Sequence, residues 1–98
     1  MWILRTNTEG VAERVFRLLP GEPKTIGRAT GADFIVDAAL ISRVHCRLTV
    51  LPGGELEVKD LDSTNGTFVN GARVTTARVA PGDTLKVGRV ELLVMKEE

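Results

Sequence analysis

A two-residue alternation of apolar and polar side chains recurs along this chain, cut into short runs by Gly, Pro, Asn and Asp. Glu55-Leu56-Glu57-Val58-Lys59 alternates without a break, as do Thr84-Leu85-Lys86-Val87 and Arg47-Leu48-Thr49-Val50, while Val90-Glu91-Leu92-Leu93-Val94 does so less strictly. Period two puts Leu56 and Val58 on one face of a strand and Glu55, Glu57 and Lys59 on the other. Such runs are half-buried strands, each with one wet face. The breaks have the right chemistry for turns. Pro52-Gly53-Gly54 reads as a hairpin loop and Pro81-Gly82-Asp83 as a turn, and Asn65-Gly66 and Asn70-Gly71 supply residues that tolerate positive φ. Turns at intervals of roughly ten residues are the spacing of an all-β sandwich or barrel. Residues 11–19 are ambiguous, with Val11, Val15, Leu18 and Leu19 at helical spacing but Phe16 and Leu18 two apart. The segment is short and ends at Pro20-Gly21, so it is read as a strand.

Length and composition narrow the class. Ninety-eight residues predict a single domain over 1–98. Hydrophobic residues at 43% and charged residues at 27% are those of a folded globular domain. Cys46 is the one cysteine, so no internal disulfide can form. The start, Met1-Trp2-Ile3-Leu4-Arg5, lacks the pattern of a signal peptide, and the expectation is an intracellular protein. Thirteen Lys plus Arg balance thirteen Asp plus Glu. Neutrality argues against binding nucleic acid or a membrane surface through bulk charge, though not against a local positive cluster.

Three segments could carry chemistry. In Thr25-Ile26-Gly27-Arg28, an Arg follows a Gly at the end of an apolar run, at a strand-to-loop junction. Ile41-Ser42-Arg43-Val44-His45 holds a Ser and a His three apart. An acyl-transfer triad would also need a group to orient the His and an oxyanion hole. A buried imidazole satisfying backbone groups explains His45 better. Asp60-Leu61-Asp62-Ser63-Thr64-Asn65-Gly66-Thr67-Phe68-Val69-Asn70-Gly71 begins like a calcium loop. Its glycine falls one position late, however, and Gly71 stands where a bidentate Glu belongs. A zinc site lacks ligands, no nucleotide-binding glycine motif occurs, and neither a metal nor a cofactor is expected.

Across these loops, Arg28, Ser42, Arg43, Ser63, Thr64 and Asn65 can all donate hydrogen bonds to an anion. Two Arg plus hydroxyls suit a phosphate, since charge-assisted hydrogen bonds contribute roughly 1.5–3 kcal/mol each. Two other classes fit the residues as well: an enzyme leaning on Ser42, His45 and Asp60 or Asp62, and a structural or oligomerising β-sandwich indifferent to phosphorylation.

Gly27-Arg28, then Ser42-x-x-His45, then Ser63-Thr64-Asn65-Gly66-Thr67-Phe68-Val69-Asn70-Gly71, in that order, resemble a forkhead-associated (FHA) domain over nearly the whole chain. The resemblance implies an eleven-stranded β-sandwich that binds phosphothreonine peptides without catalysis, after an upstream Ser/Thr kinase has acted. It implies that Arg28 and Ser42 contact the phosphate and that Arg43 helps hold phosphate or peptide backbone. Thr64 and Asn65 would buttress the phosphothreonine and bond the peptide main chain, and Gly27, His45 and Gly66 would hold the loops in shape. Leu40 stands where some members place a charged residue that reads the peptide, which puts acidic selection there in doubt. Arg43 or Arg73 could still favour acidic neighbours. Met1-Trp2, Arg17-Leu18-Leu19 and Ser42-Arg43-x-His45 are also similar to the N-terminal domain of nibrin-type DNA-repair proteins. That likeness implies a nuclear role in double-strand-break signalling. The alternative is a bacterial or free-standing signalling adaptor in the cytoplasm.

Overall fold

The computed structural model describes residues 1–97. It contains eleven strands: β1 (Trp2–Thr6), β2 (Val15–Leu18), β3 (Lys24–Gly27), β4 (Phe34–Ile35), β5 (Cys46–Val50), β6 (Leu56–Asp60), β7 (Thr67–Val69), β8 (Ala72–Val74), β9 (Thr76–Val79), β10 (Thr84–Val87) and β11 (Val90–Lys96). They form one sheet of six strands, ordered β2-β1-β11-β10-β7-β8, and one of five, ordered β4-β3-β5-β6-β9. The two sheets pack face to face, as the alternation and turn spacing predict. Neighbouring strands run antiparallel except β3 and β4. Among the described residues, no helix is long and apolar enough to cross a membrane.

Period two decides which side chains enter the core. In β6, Leu56 and Val58 are fully buried, and Leu85 and Val87 of β10 and Leu92 and Val94 of β11 face them from the other sheet. Each such aliphatic side chain contributes roughly 1.5–3 kcal/mol by leaving water. The ambiguous segment resolves as a strand, shorter than residues 11–19. Phe16 and Leu18 point inward while Val15 and Arg17 stay exposed, and Val11 lies outside β2 but packs against the core. Phe16 stacks on Phe34 of β4 with ring centroids 4.6 Å apart, which closes that side of the sandwich.

The turns set which loops share an end. Pro52-Gly53-Gly54 closes the β5–β6 hairpin. Asn70 and Gly71, at φ 50° and 85°, close the two-residue β7–β8 hairpin. The segment from Asp60 to Gly66 does not close a hairpin: β6 and β7 belong to different sheets, so the loop between them carries the chain across the sandwich. It emerges at the end of the molecule where β3 stops and β5 starts. The β3–β4, β4–β5 and β6–β7 loops therefore gather there.

Candidate functional site

Those three loops enclose an open cleft of about 360 Å³, lined by Arg28, Leu40, Ile41, Ser42, Arg43, Thr64 and Asn65. The five residues for which the FHA resemblance implies ligand contact line it together, and Ser63, the sixth candidate donor, does not. Their placement begins with backbone contacts. Arg28 N–H donates to Ser42 C=O at 3.0 Å and Ala29 N–H to Arg43 C=O at 3.3 Å, stitching the first loop to the second. Gly27 makes this approach possible, because a Cβ there would lie 2.0 Å from the Arg43 carbonyl oxygen. Behind the first loop, Thr25 donates through its N–H and its hydroxyl to one Asp33 carboxylate oxygen, at 2.9 and 3.1 Å. These bonds, the backbone one foremost, hold the Asp33 carboxyl below its usual range.

His45 joins the second loop to the third. Its ring is fully buried. Nδ1 accepts the Ser42 N–H at 3.1 Å, so Nε2 carries the proton and donates to Gly66 C=O at 2.8 Å. Both ring nitrogens are thus committed to backbone groups. None faces the Ser42 hydroxyl, and the nucleophile-and-base pairing that an enzyme would need is not formed. Ser42 Oγ instead accepts the Thr64 N–H at 3.1 Å, which leaves its own proton free to donate into the cleft. Asn65 Nδ2 donates to Leu40 C=O at 3.0 Å, leaving the amide oxygen and a second N–H available.

The structure departs from expectation at Ser63. Its hydroxyl does not face the cleft with the other donors. It donates to Asp60 Oδ1 and accepts the Gly66 N–H at 3.0 Å, and the residue is buried. Thr67 Oγ1 also donates to Asp60 Oδ1, at 2.7 Å. Asp60 is therefore the anchor of the third loop, not an acid–base group or a calcium ligand. Burial pushes its carboxyl up, but the hydrogen bonds from Ser63 and Thr67 outweigh that and hold it below the usual carboxylate range. Next to it, burial and then the Asp60 charge push the Cys46 thiol up to about 12, against a Thr67 hydrogen bond that lowers it, so this thiol is unreactive near neutral pH. Among the described residues, no cluster of His, Cys, Asp and Glu suits a metal ion.

Leu40 is a lining residue whose conformation the sequence hides. It holds φ at 70°, a region costing an L residue about 1–2 kcal/mol, with its backbone against Gly88 of the β10–β11 turn. Its side chain stays 43% exposed at the cleft's edge. The ion pairs among the described residues are Lys24–Glu22 and Arg78–Glu55, so Arg28 and Arg43 present unpaired guanidinium groups. Three cross-linked loops thus bring two unpaired cations, a hydroxyl and an amide to one cleft, a donor set chemically suited to an oxyanion.

Comparison with known proteins decides the lineage. The FHA domain family matches residues 24–88, two thirds of the chain. The chain belongs to the FHA family. The ABC transporter ATP-binding/permease protein Rv1747 of Mycobacterium tuberculosis is 44% identical over 75 residues, covering 76% of this chain and 9% of that protein. The glycogen accumulation regulator GarA of Mycolicibacterium smegmatis is 38% identical over 80 residues, covering 81% of this chain and 50% of GarA. This FHA chain thus spans half of GarA's length and a small part of the transporter. Among solved structures, an FHA domain from a structural and functional study of phosphothreonine-dependent interactions is 31% identical with a TM-score of 0.87, covering 99% of this chain and 97% of that one. The FhaA FHA domain, solved in complex with the intracellular domain of Rv3910, is 32% identical with a TM-score of 0.85, covering 96% of this chain and 99% of that one. The two named sequence relatives are mycobacterial, and the nibrin-like likeness finds no support among these comparisons.

Proposed function

We propose that this chain is a phosphothreonine-peptide-binding module of a bacterial-type Ser/Thr kinase signalling pathway, acting as an adaptor and not as an enzyme. The observation that carries the reading is the convergence of Arg28, Ser42, Arg43, Thr64 and Asn65 on one cleft whose loops are locked from behind. Arg28 and the Ser42 hydroxyl bind the phosphate, which carries about −1.5 to −2 charge at neutral pH, and Arg43 adds a second positive charge. Thr64 buttresses the phosphothreonine. Asn65 accepts and donates to the peptide main chain through the amide groups left over from its bond to Leu40. Gly27, His45 and Gly66 hold these side chains in place. Phosphorylation of the partner by an upstream kinase switches binding on, and no metal or cofactor takes part.

The module works inside the cell, where ATP-dependent kinases make phosphothreonine. It forms one domain over residues 1–98. The phosphothreonine-dependent interactions of the similar FHA domain, and the complex of FhaA with an intracellular domain, support this reading over one in double-strand-break repair. Calorimetric titration with one peptide in Thr, phosphothreonine and phosphoserine forms tests it. The expected order is phosphothreonine first, phosphoserine weaker and Thr without measurable binding. Equal affinity for the Thr and phosphothreonine forms would show a phosphorylation-independent interaction module instead.

A further inference from the structure

Arg73 lies next to the cleft without lining it, and neither ion pair among the described residues includes it. It sits on β8 directly opposite Phe68 of β7. Gly66 precedes Phe68 by two residues and faces the same way, so it is the diagonal neighbour of Arg73. A Cβ on Gly66 would come within 2.9 Å of Arg73 Nε and 3.1 Å of Arg73 Cζ. The guanidinium therefore occupies the space that any side chain at position 66 would claim. Gly66 itself is required by its φ of 93°, while the exposed Arg73 side chain fills the space its missing Cβ leaves. The backbone beneath is fixed, since Gly66 N–H donates to Ser63 Oγ and Gly66 C=O accepts from His45 Nε2. Phe68 Cε1, 3.2 Å from the same virtual Cβ, bounds the other side.

An exposed Arg with no ion-pair partner, its guanidinium lying beside Gly66, is placed to meet a carboxylate on a peptide that passes over that residue. Gly66, the residue beneath this guanidinium, follows directly on Asn65, which holds the peptide main chain in the reading above. We infer that Arg73 is a specificity-determining residue that selects an Asp or Glu flanking the phosphothreonine, on the side of the peptide that passes over Gly66. This inference rests on the phosphothreonine reading and deepens it.

The test uses fluorescence polarisation with four peptides of one core sequence: unphosphorylated, phosphorylated with neutral flanks, and phosphorylated with Glu on the N-terminal or the C-terminal side. The unsubstituted chain should bind one Glu-flanked peptide about two- to five-fold more tightly than the neutral phosphopeptide, the range of an exposed ion pair. Arg73→Gln should bring that peptide to the neutral level and leave the neutral phosphopeptide unchanged. No preference in the unsubstituted chain, or equal weakening of every phosphopeptide by Arg73→Gln, overturns the role of Arg73. Failure of the unsubstituted chain to distinguish phosphorylated from unphosphorylated peptide overturns the phosphothreonine reading instead. If Arg73→Gln does not fold, the Nε–Hε resonance of Arg73 in the unsubstituted chain decides. It should move with the preferred Glu-flanked peptide and stay still with the neutral phosphopeptide, and the same response to both overturns the inference.

Discussion

The two ends of this sandwich treat charge in opposite ways. At the far end, two cations have carboxylate partners, Lys24 with Glu22 at 3.5 Å and Arg78 with Glu55 at 3.3 Å, and a third, Lys96, lies 5.2 Å from the centre of the Trp2 ring. Asn70 and Asp83 close that end as well, through a side-chain hydrogen bond of 3.0 Å. At the loop end, Arg28 and Arg43 border the cleft without ion-pair partners, while the Asp60 carboxylate at the base of the third loop is turned inward and bonded by Ser63 and Thr67. A net charge of zero thus conceals a polarised molecule. Lys24, Arg78 and Lys96 at the far end are each engaged within the chain, by a carboxylate or an aromatic ring, whereas Arg28 and Arg43 beside the cleft have no ion-pair partner. The unpaired arginines cost little while exposed to water, and what makes them useful is the rigidity of the backbone that carries them.

If that contrast is right, the largest effect comes from breaking the rigidity. His45→Ala opens a cavity and strips partners from Ser42 N–H and Gly66 C=O, so it should destabilise the fold by about 3 kcal/mol, read as the shift in urea midpoint. Next, Arg28→Ala should weaken phosphothreonine peptide binding by about 2 kcal/mol, roughly thirty-fold by calorimetry, with the melting temperature unchanged. Affinity equal to that of the unsubstituted chain would remove Arg28 from the phosphate site. Ser42→Ala should cost about 1 kcal/mol of binding, roughly five-fold, because a neutral donor is lost instead of a charge. The smallest effect belongs to the far end: Arg78→Ala should alter stability by no more than about 0.5 kcal/mol and binding not at all.

Acid titration sharpens the same contrast from the inside. The Asp60 carboxyl is held below its ordinary value of about 3.9 in the folded chain. Its hydrogen bonds therefore stabilise the fold fully above that value, and the contribution disappears as pH falls through the lower folded value. Urea unfolding should show lower stability at pH 3 than at pH 7. Asp60→Asn should reduce the difference, leaving the part that Asp33 and Asp83, also lowered, still contribute.

Much of this was legible in the order of residues, and the gaps have physical causes. Clean alternation marked β5, β6 and β10, and a looser one β11, because each has one face in the core. The two-residue β4 and the largely exposed β8 leave almost no burial pattern to read. Residues 11–19 stayed ambiguous because so short a segment fits both periods, and packing of Phe16 on Phe34 of the other sheet settled it. The loop residues of the cleft could be named, since Arg, Ser, Thr and Asn at turn positions advertise their donors. Ser63 could not be separated from Thr64 on composition alone. Which hydroxyl turns inward depends on Asp60 three residues earlier, and that Asp-x-x-Ser spacing was a usable signal. Leu40 at φ 70° had no signal, because a leucine rarely adopts that conformation and only its contacts with Asn65 and Gly88 hold it there.

The most direct test of the polarised arrangement is a backbone amide chemical-shift map of the chain with a phosphothreonine peptide. Shifts should cluster at Arg28, Ser42, Arg43, Thr64 and Asn65 and be absent at Glu22, Lys24, Glu55 and Arg78. Shifts centred on the far end, or the same map with the unphosphorylated peptide, would contradict the account.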